Sequence, residues 1–411
     1  MKVLILSCNT GGGHNTAARA LKEVFDSAGD ECEIRDALSF GSQAASDLVC
    51  DSYVEMVKNN PKIFGKLYEM GGNYGETSSG LVRSPVYMMN MMYTKALRKY
   101  LIENKIDAVV CCHFFGAQAM THILKHYHLD VPFYFVATDY FASPLLEETN
   151  PRCFFIASKD SAFTFTARGI PSEKLVPLGI PVSQKFVRKG NKEKAREQLR
   201  KMDININQDD KVYLIMSGSM GFGDIIDIAH DIFSAGDKKT RIIAITGNNK
   251  EMLFQFLKEF AGEPRVHVVG FTDKVNVFME ASDLLLTKPG GLSSTEAIVK
   301  GIPIIHTSPI PGCESENVQF FAEHHMSLCA NSPDDASRLA LLLMNDELLK
   351  NQMLEAQKKY RGNNSAKAIA KYVKKDCLAF KESLNLDQEK IGTRKHMKER
   401  KAEKQSVQKK D

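Results

Sequence analysis

The sequence predicts an α/β protein built on two doubly wound, Rossmann-like parallel sheets. Its 411 residues exceed what one hydrophobic core holds together, and 43% apolar residues are enough to bury two. Apolar runs of strand length alternate with helical patterns, and the polar loops follow the strands. In both halves a glycine-rich turn stands between a strand and a helix, the place where open parallel sheets bind ligands.

Lys2 to Ser7 reads as a buried strand, followed by Gly11-Gly12-Gly13-His14 and a helix carrying Ala17, Ala18, Ala20, Leu21, Val24 and Phe25. The glycines let a ligand approach the backbone, and His14 stands at the mouth of the site. Glu31 to Asp36 is the second strand. From Ser42 to Leu101 the alternation breaks into helical stretches rich in apolar and aromatic residues, a glycine-rich segment from Gly71 to Gly80, and a Met-rich run from Tyr87 to Tyr93. This region reads either as a helical hairpin packed on the sheet or as an apolar lip for a lipid, with Lys66 and Arg83 among the bases available to anionic headgroups. Strands resume at Asp107 to Cys112, ending in His113, and at Pro132 to Val136, ending near Asp139. Short strands at Cys153 to Ala157 and Lys174 to Pro177 complete a first domain over residues 1–182.

Residues 183–210 read as a connector. A second domain over 211–365 has strands at Lys211 to Met216, Arg241 to Thr246, Arg265 to Val269, Asp283 to Thr287 and Pro303 to His306. A helix over 366–389 and a basic tail over 390–411 follow. Within the second domain, Asp283 to Glu296 is the most telling stretch. A strand gives way to Lys288-Pro289-Gly290-Gly291, and Ser293, Ser294 and Thr295 offer hydroxyls and cap chemistry to a helix with Glu296 in its first turn. Unpaired N–H groups and the helix dipole then point at one spot, which suits a diphosphate. The stretch has neither GxxxxGK[ST] nor GxGxxG. Glu296 suits a ribose with two free hydroxyls, so a nucleotide-sugar is expected. Glu314 and Asn317 fall beside this site, after the next strand.

The nine cysteines are scattered without a CxxC pair, which suggests free thiols in a reducing compartment. No apolar run reaches 18 residues and no signal-peptide core is present, so a cytoplasmic protein is expected. The net charge of +4 is concentrated in Lys390 to Asp411, which holds nine Lys/Arg against three Asp/Glu. The tail reads as a solvated end or as an attachment to anionic lipid; nucleic acid is not an expected partner. No metal or other cofactor is called for: no DxD pair sits on a glycine loop, and His122, His126 and His128 lack carboxylate company.

Five motifs carry a resemblance. GGGH (Gly11 to His14), SGSMG (Ser217 to Gly221), VVGFTD (Val268 to Asp273), TKPGGLSSTEA (Thr287 to Ala297) and PIPGCESEN (Pro309 to Asn317) resemble, in order, those of the monogalactosyldiacylglycerol synthase and processive diacylglycerol glucosyltransferase family. That family is related to the peptidoglycan transferase that adds N-acetylglucosamine to a lipid intermediate. The resemblance implies the GT-B architecture, two Rossmann-like domains facing across a cleft. It implies the uracil at the backbone of Gly270, Phe271 and Thr272, and the ribose at Glu296. Ser217, Gly218, Ser293 and Ser294 would hold the diphosphate, with Gly12, Gly13, Pro289, Gly290, Gly291 and Thr295 around the donor, and Glu314 and Asn317 the hexose. His14 matches the family's essential histidine. The expected activity is inverting transfer of a hexose from UDP-glucose or UDP-galactose to a diacylglycerol-type lipid on an anionic membrane surface, at the inner face of the cell membrane. His14 is the expected base, with Asp139 as second candidate. Transfer to an undecaprenyl-linked precursor, UDP-sugar 2-epimerisation and non-catalytic nucleotide-sugar binding are the alternatives. The chain departs from the family at Cys313, often glutamine, and at Tyr140-Phe-Ala-Ser-Pro144, where plant members carry histidine and tryptophan.

Overall fold

The computed structural model describes residues 1–9, 12–42, 66, 83–127, 129–218, 224–307, 309, 312, 314–362 and 364–384. Most of the lip segment, including the glycine-rich stretch from Gly71 to Gly80, lies outside them, as do Gly11, Cys313 and the basic tail.

Two six-stranded parallel sheets form the frame. The first contains β1 (Lys2–Ser7), β2 (Glu31–Asp36), β3 (Ala108–Cys111), β4 (Phe133–Val136), β5 (Phe154–Phe155) and β6 (Leu175–Val176), in the order β2-β1-β3-β4-β5-β6. The second contains β7 (Lys211–Met216), β8 (Thr240–Ile245), β9 (Val266–Val269), β10 (Leu284–Thr287), β11 (Ile304–His306) and β12 (Leu328–Cys329), in the order β12-β11-β10-β7-β8-β9. Helices connect them: α1 (Gly12–Ser27), α2 (Pro85–Met91), α3 (Thr94–Glu103), α4 (Phe114–Tyr127), α5 (Ala162–Ala167), α6 (Gln184–Val187), α7 (Lys192–Arg200), α8 (Ile225–Ala235), α9 (Lys250–Glu259), α10 (Val275–Ala281), α11 (Gly291–Lys300), α12 (Ser315–Glu323), α13 (Pro333–Asn345) and α14 (Glu347–Lys358). A last helix, α15, covers 365–384.

The strands read as unbroken apolar runs because both faces are covered. Val3 and Ile5 enter one core while Leu4 and Leu6 enter another, all fully buried. The first of these cores is shared: it continues through Val212 and Leu214 of β7 and through Ile369 and Val373 of α15. The chain therefore returns to the first sheet at its end. Lys374 pairs with Asp30 at 2.7 Å, and Arg152 and the Tyr134 hydroxyl meet Asp376 at 3.0 and 2.8 Å.

The connector is not a free linker. Arg196 of α7 is buried and donates to the carbonyls of Ala281, Asn207 and Gln208 and to Asp283 at 2.9 Å, which fixes α7 on the second sheet. The chain passes between the halves beside α6 and again before α15. There the side-chain amides of Gln184 and Asn364 bond each other in both directions, at 2.9 and 2.6 Å.

Each sheet reverses its strand order once, between β1 and β3 and between β10 and β7. Ligands bind at such reversals, outside the strands' carboxyl ends. Every sequence-predicted site loop except that of Gly270 to Thr272, Asp139 and the Glu314 to Asn317 segment starts at one of these two places.

Candidate active site

At the second sheet's reversal, the loops after β7 and β10 lie side by side, since Met216 and Thr287 share a register. Gly218 has φ +73°, and a Cβ there would stand 2.7 Å from Lys288 Cε, so the lysine passes over a bare backbone. Lys288 then pairs with buried Glu314 at 2.7 Å. Helix α11 begins at Gly291 with Gly290 as its cap, not at the serines. A Cβ on Gly291 would come within 2.0 Å of the Thr138 carbonyl of the first half, so only glycine allows the two halves to meet here.

This early start places the hydroxyls differently from the sequence expectation. Ser294 bonds His306 Nε2 at 2.9 Å, and Ser327 meets His306 Nδ1 at 3.0 Å; burial pushes this histidine down to about 3. Thr295 donates to the Gly291 carbonyl and meets the Tyr140 hydroxyl at 2.9 Å. Ser217 is buried against the Ile245 carbonyl. The Ser294, Thr295 and Ser217 hydroxyls are thus engaged within the fold, while Ser293 remains on the cavity wall with Leu292.

That cavity measures about 570 Å³, within the range usual for small-molecule sites. Gly12, Gly13 and Thr16 form its first-half wall; Gly218, Ser293, Phe271, Thr272 and Glu296 face them. Phe271 is 71% exposed, leaving a ring face at the rim. Glu296 is buried, and desolvation pushes its carboxyl up to about 8, against the pull of Lys185 and Arg19. Arg19 and Lys185 both line the cavity, and Lys185 also bonds the Asp273 carbonyl. Neither cation was foreseen from the sequence. Local pattern does not reveal a helix-α1 or α6 side chain that reaches a pocket formed largely by residues more than 80 positions away.

At the first sheet's reversal stands His14. Its Nδ1 lies 2.9 Å from the Cys112 carbonyl and 3.1 Å from Thr138 Oγ1. A carbonyl can only accept, so Nδ1 carries the proton and Nε2 keeps its lone pair. Thr138 in turn donates to Asp139 Oδ2 at 3.3 Å. Burial holds the His14 imidazole below its usual value, and the Asp139 charge opposes this. His113 packs edge-on at 4.7 Å and is held well below the usual value by burial and by His14. Asp139 therefore stands within electrostatic reach of His14.

Asn317 lies fully buried between the halves: it accepts from Tyr140 N–H and donates to Asp139 Oδ1 at 2.8 Å and the Pro289 carbonyl at 3.0 Å. Gly270 directly follows β9 and, unlike Phe271 and Thr272, does not line the cavity. Lys66 is exposed. Arg83 lies over the Tyr87 ring at 4.7 Å and donates to the Glu148 carbonyl, so it faces the protein more than the surroundings. Met88 and Met92 of the same region are 61% and 84% exposed. Among the described residues, no helix is long and apolar enough to cross a membrane.

Two parallel doubly wound sheets with a cavity between their strand ends define the GT-B class. Solved structures of this fold align along nearly the whole chain. A Staphylococcus aureus MnaA–UDP structure has a TM-score of 0.59 at 16% identity, covering 92% of this chain and 98% of its own. Acinetobacter baumannii MurG has a TM-score of 0.56 at 14% identity, covering 91% and 99%. Two family models match the chain in succession: residues 14–182 match monogalactosyldiacylglycerol (MGDG) synthase, and residues 212–374 match the glycosyltransferase family 28 C-terminal domain. Processive diacylglycerol beta-glucosyltransferases of Staphylococcus epidermidis and Staphylococcus haemolyticus are each 26% identical, over 63% and 64% of this chain and 66% of each relative. The match thus spans slightly less than two thirds of those relatives' length.

Proposed function

We propose that the protein is an inverting hexosyltransferase that moves glucose or galactose from its UDP-sugar to the hydroxyl of diacylglycerol or a glycosyl-diacylglycerol. The acceptor oxygen attacks the anomeric carbon from the face opposite UDP and gives its proton to His14 Nε2. The bond from that carbon to the diphosphate breaks, and the electron pair leaves with UDP. Thr138 and Asp139 orient the ring and stabilise the imidazolium that forms. The open N–H groups of Gly291, Leu292 and Ser293, with Arg19 and Lys185 nearby, offset the charge on the departing diphosphate. Fixed cationic and dipolar groups thus do what a divalent ion would otherwise do, so chelator-treated enzyme should retain activity. One observation carries the reading: His14, with its proton fixed on Nδ1, directly follows Gly13, which packs against Leu292 in the first turn of α11.

The acceptor is a bilayer lipid, and each CH₂ drawn into water costs about 0.8 kcal/mol. The enzyme therefore works on the cytoplasmic membrane surface. Exposed Met88 and Met92, with exposed Lys95 and Lys99 on the next helix, support a docking face of mixed apolar and basic character. The test incubates full-length protein with labelled UDP-glucose or UDP-galactose and vesicles of diacylglycerol in anionic lipid. Label in a chloroform-soluble product supports the proposal. Free labelled sugar, epimerised UDP-sugar, or label only on an undecaprenyl-linked acceptor would replace it.

A further inference from the structure

We propose that Asn317 and Tyr140 form a clasp between the two halves that positions Asp139 against His14, and that Asn317 is a positioning residue and not a hexose ligand. The inference rests on the transferase reading above for its kinetic arm only.

The geometry leaves Asn317 little else to do. Its Oδ1 faces the Tyr140 N–H at 3.0 Å, and its Nδ2 faces two acceptors, Asp139 Oδ1 and the Pro289 carbonyl. This pattern fixes the amide orientation, because an N–H cannot serve the opposite way round. Both amide hydrogens are engaged, and no part of the side chain is exposed. Tyr140 is inserted from the other side. Its ring lies 4.9 Å from both Phe320 and Phe321, and its hydroxyl meets Thr295 at 2.9 Å.

A continuous path results. It runs from Asn317 of the second half to Asp139 Oδ1, from Asp139 Oδ2 to the Thr138 hydroxyl, and from there to His14 Nδ1. The charged or titratable neighbours of His14 along its contacts are Asp139 and His113. Asp139 favours protonated His14 and His113 opposes it. If the clasp is removed, Asp139 is free to turn toward solvent, and His14 loses the charge that favours its protonated form. Its titration then moves to lower pH, and the imidazole becomes a weaker base.

The experiment follows the His14 ring by NMR titration in the full-length protein, with the resonance assigned by its loss in His14→Gln. It compares wild type, Asn317→Ala and Tyr140→Phe. We expect the His14 titration to move to lower pH in Asn317→Ala and, to a smaller extent, in Tyr140→Phe, which keeps the ring packing and loses only the bond to Thr295. In steady-state assays on a short-chain diacylglycerol, Asn317→Ala should lower kcat by about 10²-fold, the usual effect of misplacing a reacting group by an ångström. KM for the UDP-hexose should hold. An unmoved His14 titration in both variants, or a raised donor KM with kcat kept, overturns the clasp. If Asn317→Ala does not fold, Tyr140→Phe decides alone. Lack of transfer by wild type would refute the proposed function, while the titration would still decide the clasp.

Discussion

The two strand-order reversals use one architectural slot for opposite purposes. After β1 the third residue of the helix is an imidazole, turned inward through Nδ1 onto the Cys112 carbonyl. After β10 the corresponding residue of the helix is Ser293, which lines the cavity with Leu292, while the next two hydroxyls turn into the fold. Topology fixes where chemistry can occur, and the first turn of the helix decides whether that place supplies a base or a charge. Burial acts on both sites in opposite directions. It lowers the affinity of His14 for a proton and raises that of Glu296.

The sharpest way to break this comparison is to remove the base alone. His14→Ala should reduce kcat by about 10²-fold or more and leave UDP affinity by calorimetry unchanged. Equal losses in both would make the first reversal a donor site as well. On the other side, Glu296→Ala should weaken UDP binding about 10-fold, given about 0.5–1.5 kcal/mol for each of two hydrogen bonds to the ribose. Glu296 also sets a pH dependence. Its carboxyl is raised from 4.5 to about 8 on folding, so the native state holds the proton where the unfolded chain has released it. Its contribution to stability is fully present below about 4.5 and falls as pH rises toward about 8. Urea midpoints measured from pH 5 to 8 should therefore fall less in Glu296→Gln than in wild type.

A change at the contact between the reversals comes next. Gly291→Ala places a methyl group against the Thr138 carbonyl and should cost about 1–3 kcal/mol in stability, read from the same denaturation curves, with kcat lowered by displacement of the loop. The smallest effect is expected at Ser294→Ala. Loss of the bond to His306 should cost about 1 kcal/mol of stability, with UDP affinity little altered. A large loss of UDP affinity there would return Ser294 to the diphosphate.

The frame was legible because buried parallel strands are continuous apolar runs, and because glycine marks the turns at their ends. β12 was missed, since two residues within Ser-Leu-Cys-Ala carry no periodicity. In the site, His14, Glu296 and the glycines could be placed from local pattern. The inward turn of Ser294 and Thr295 could not, because it depends on the helix starting at Gly291, a position where the distant residue 138 leaves room only for glycine. Arg19, Lys185 and Thr138 left no signal for the same reason. Tyr140 was visible only as a departure from the family's pattern, and its partner Asn317 lies 177 positions away.

The reciprocal amide pair of Gln184 and Asn364 has a mechanical consequence. The two chain crossings are bonded to each other there, so neither segment can shift along its length without breaking both amide bonds. The core shared by both halves includes Ala366, two positions from Asn364, so a slip at this pair would also disturb packing on which both halves depend.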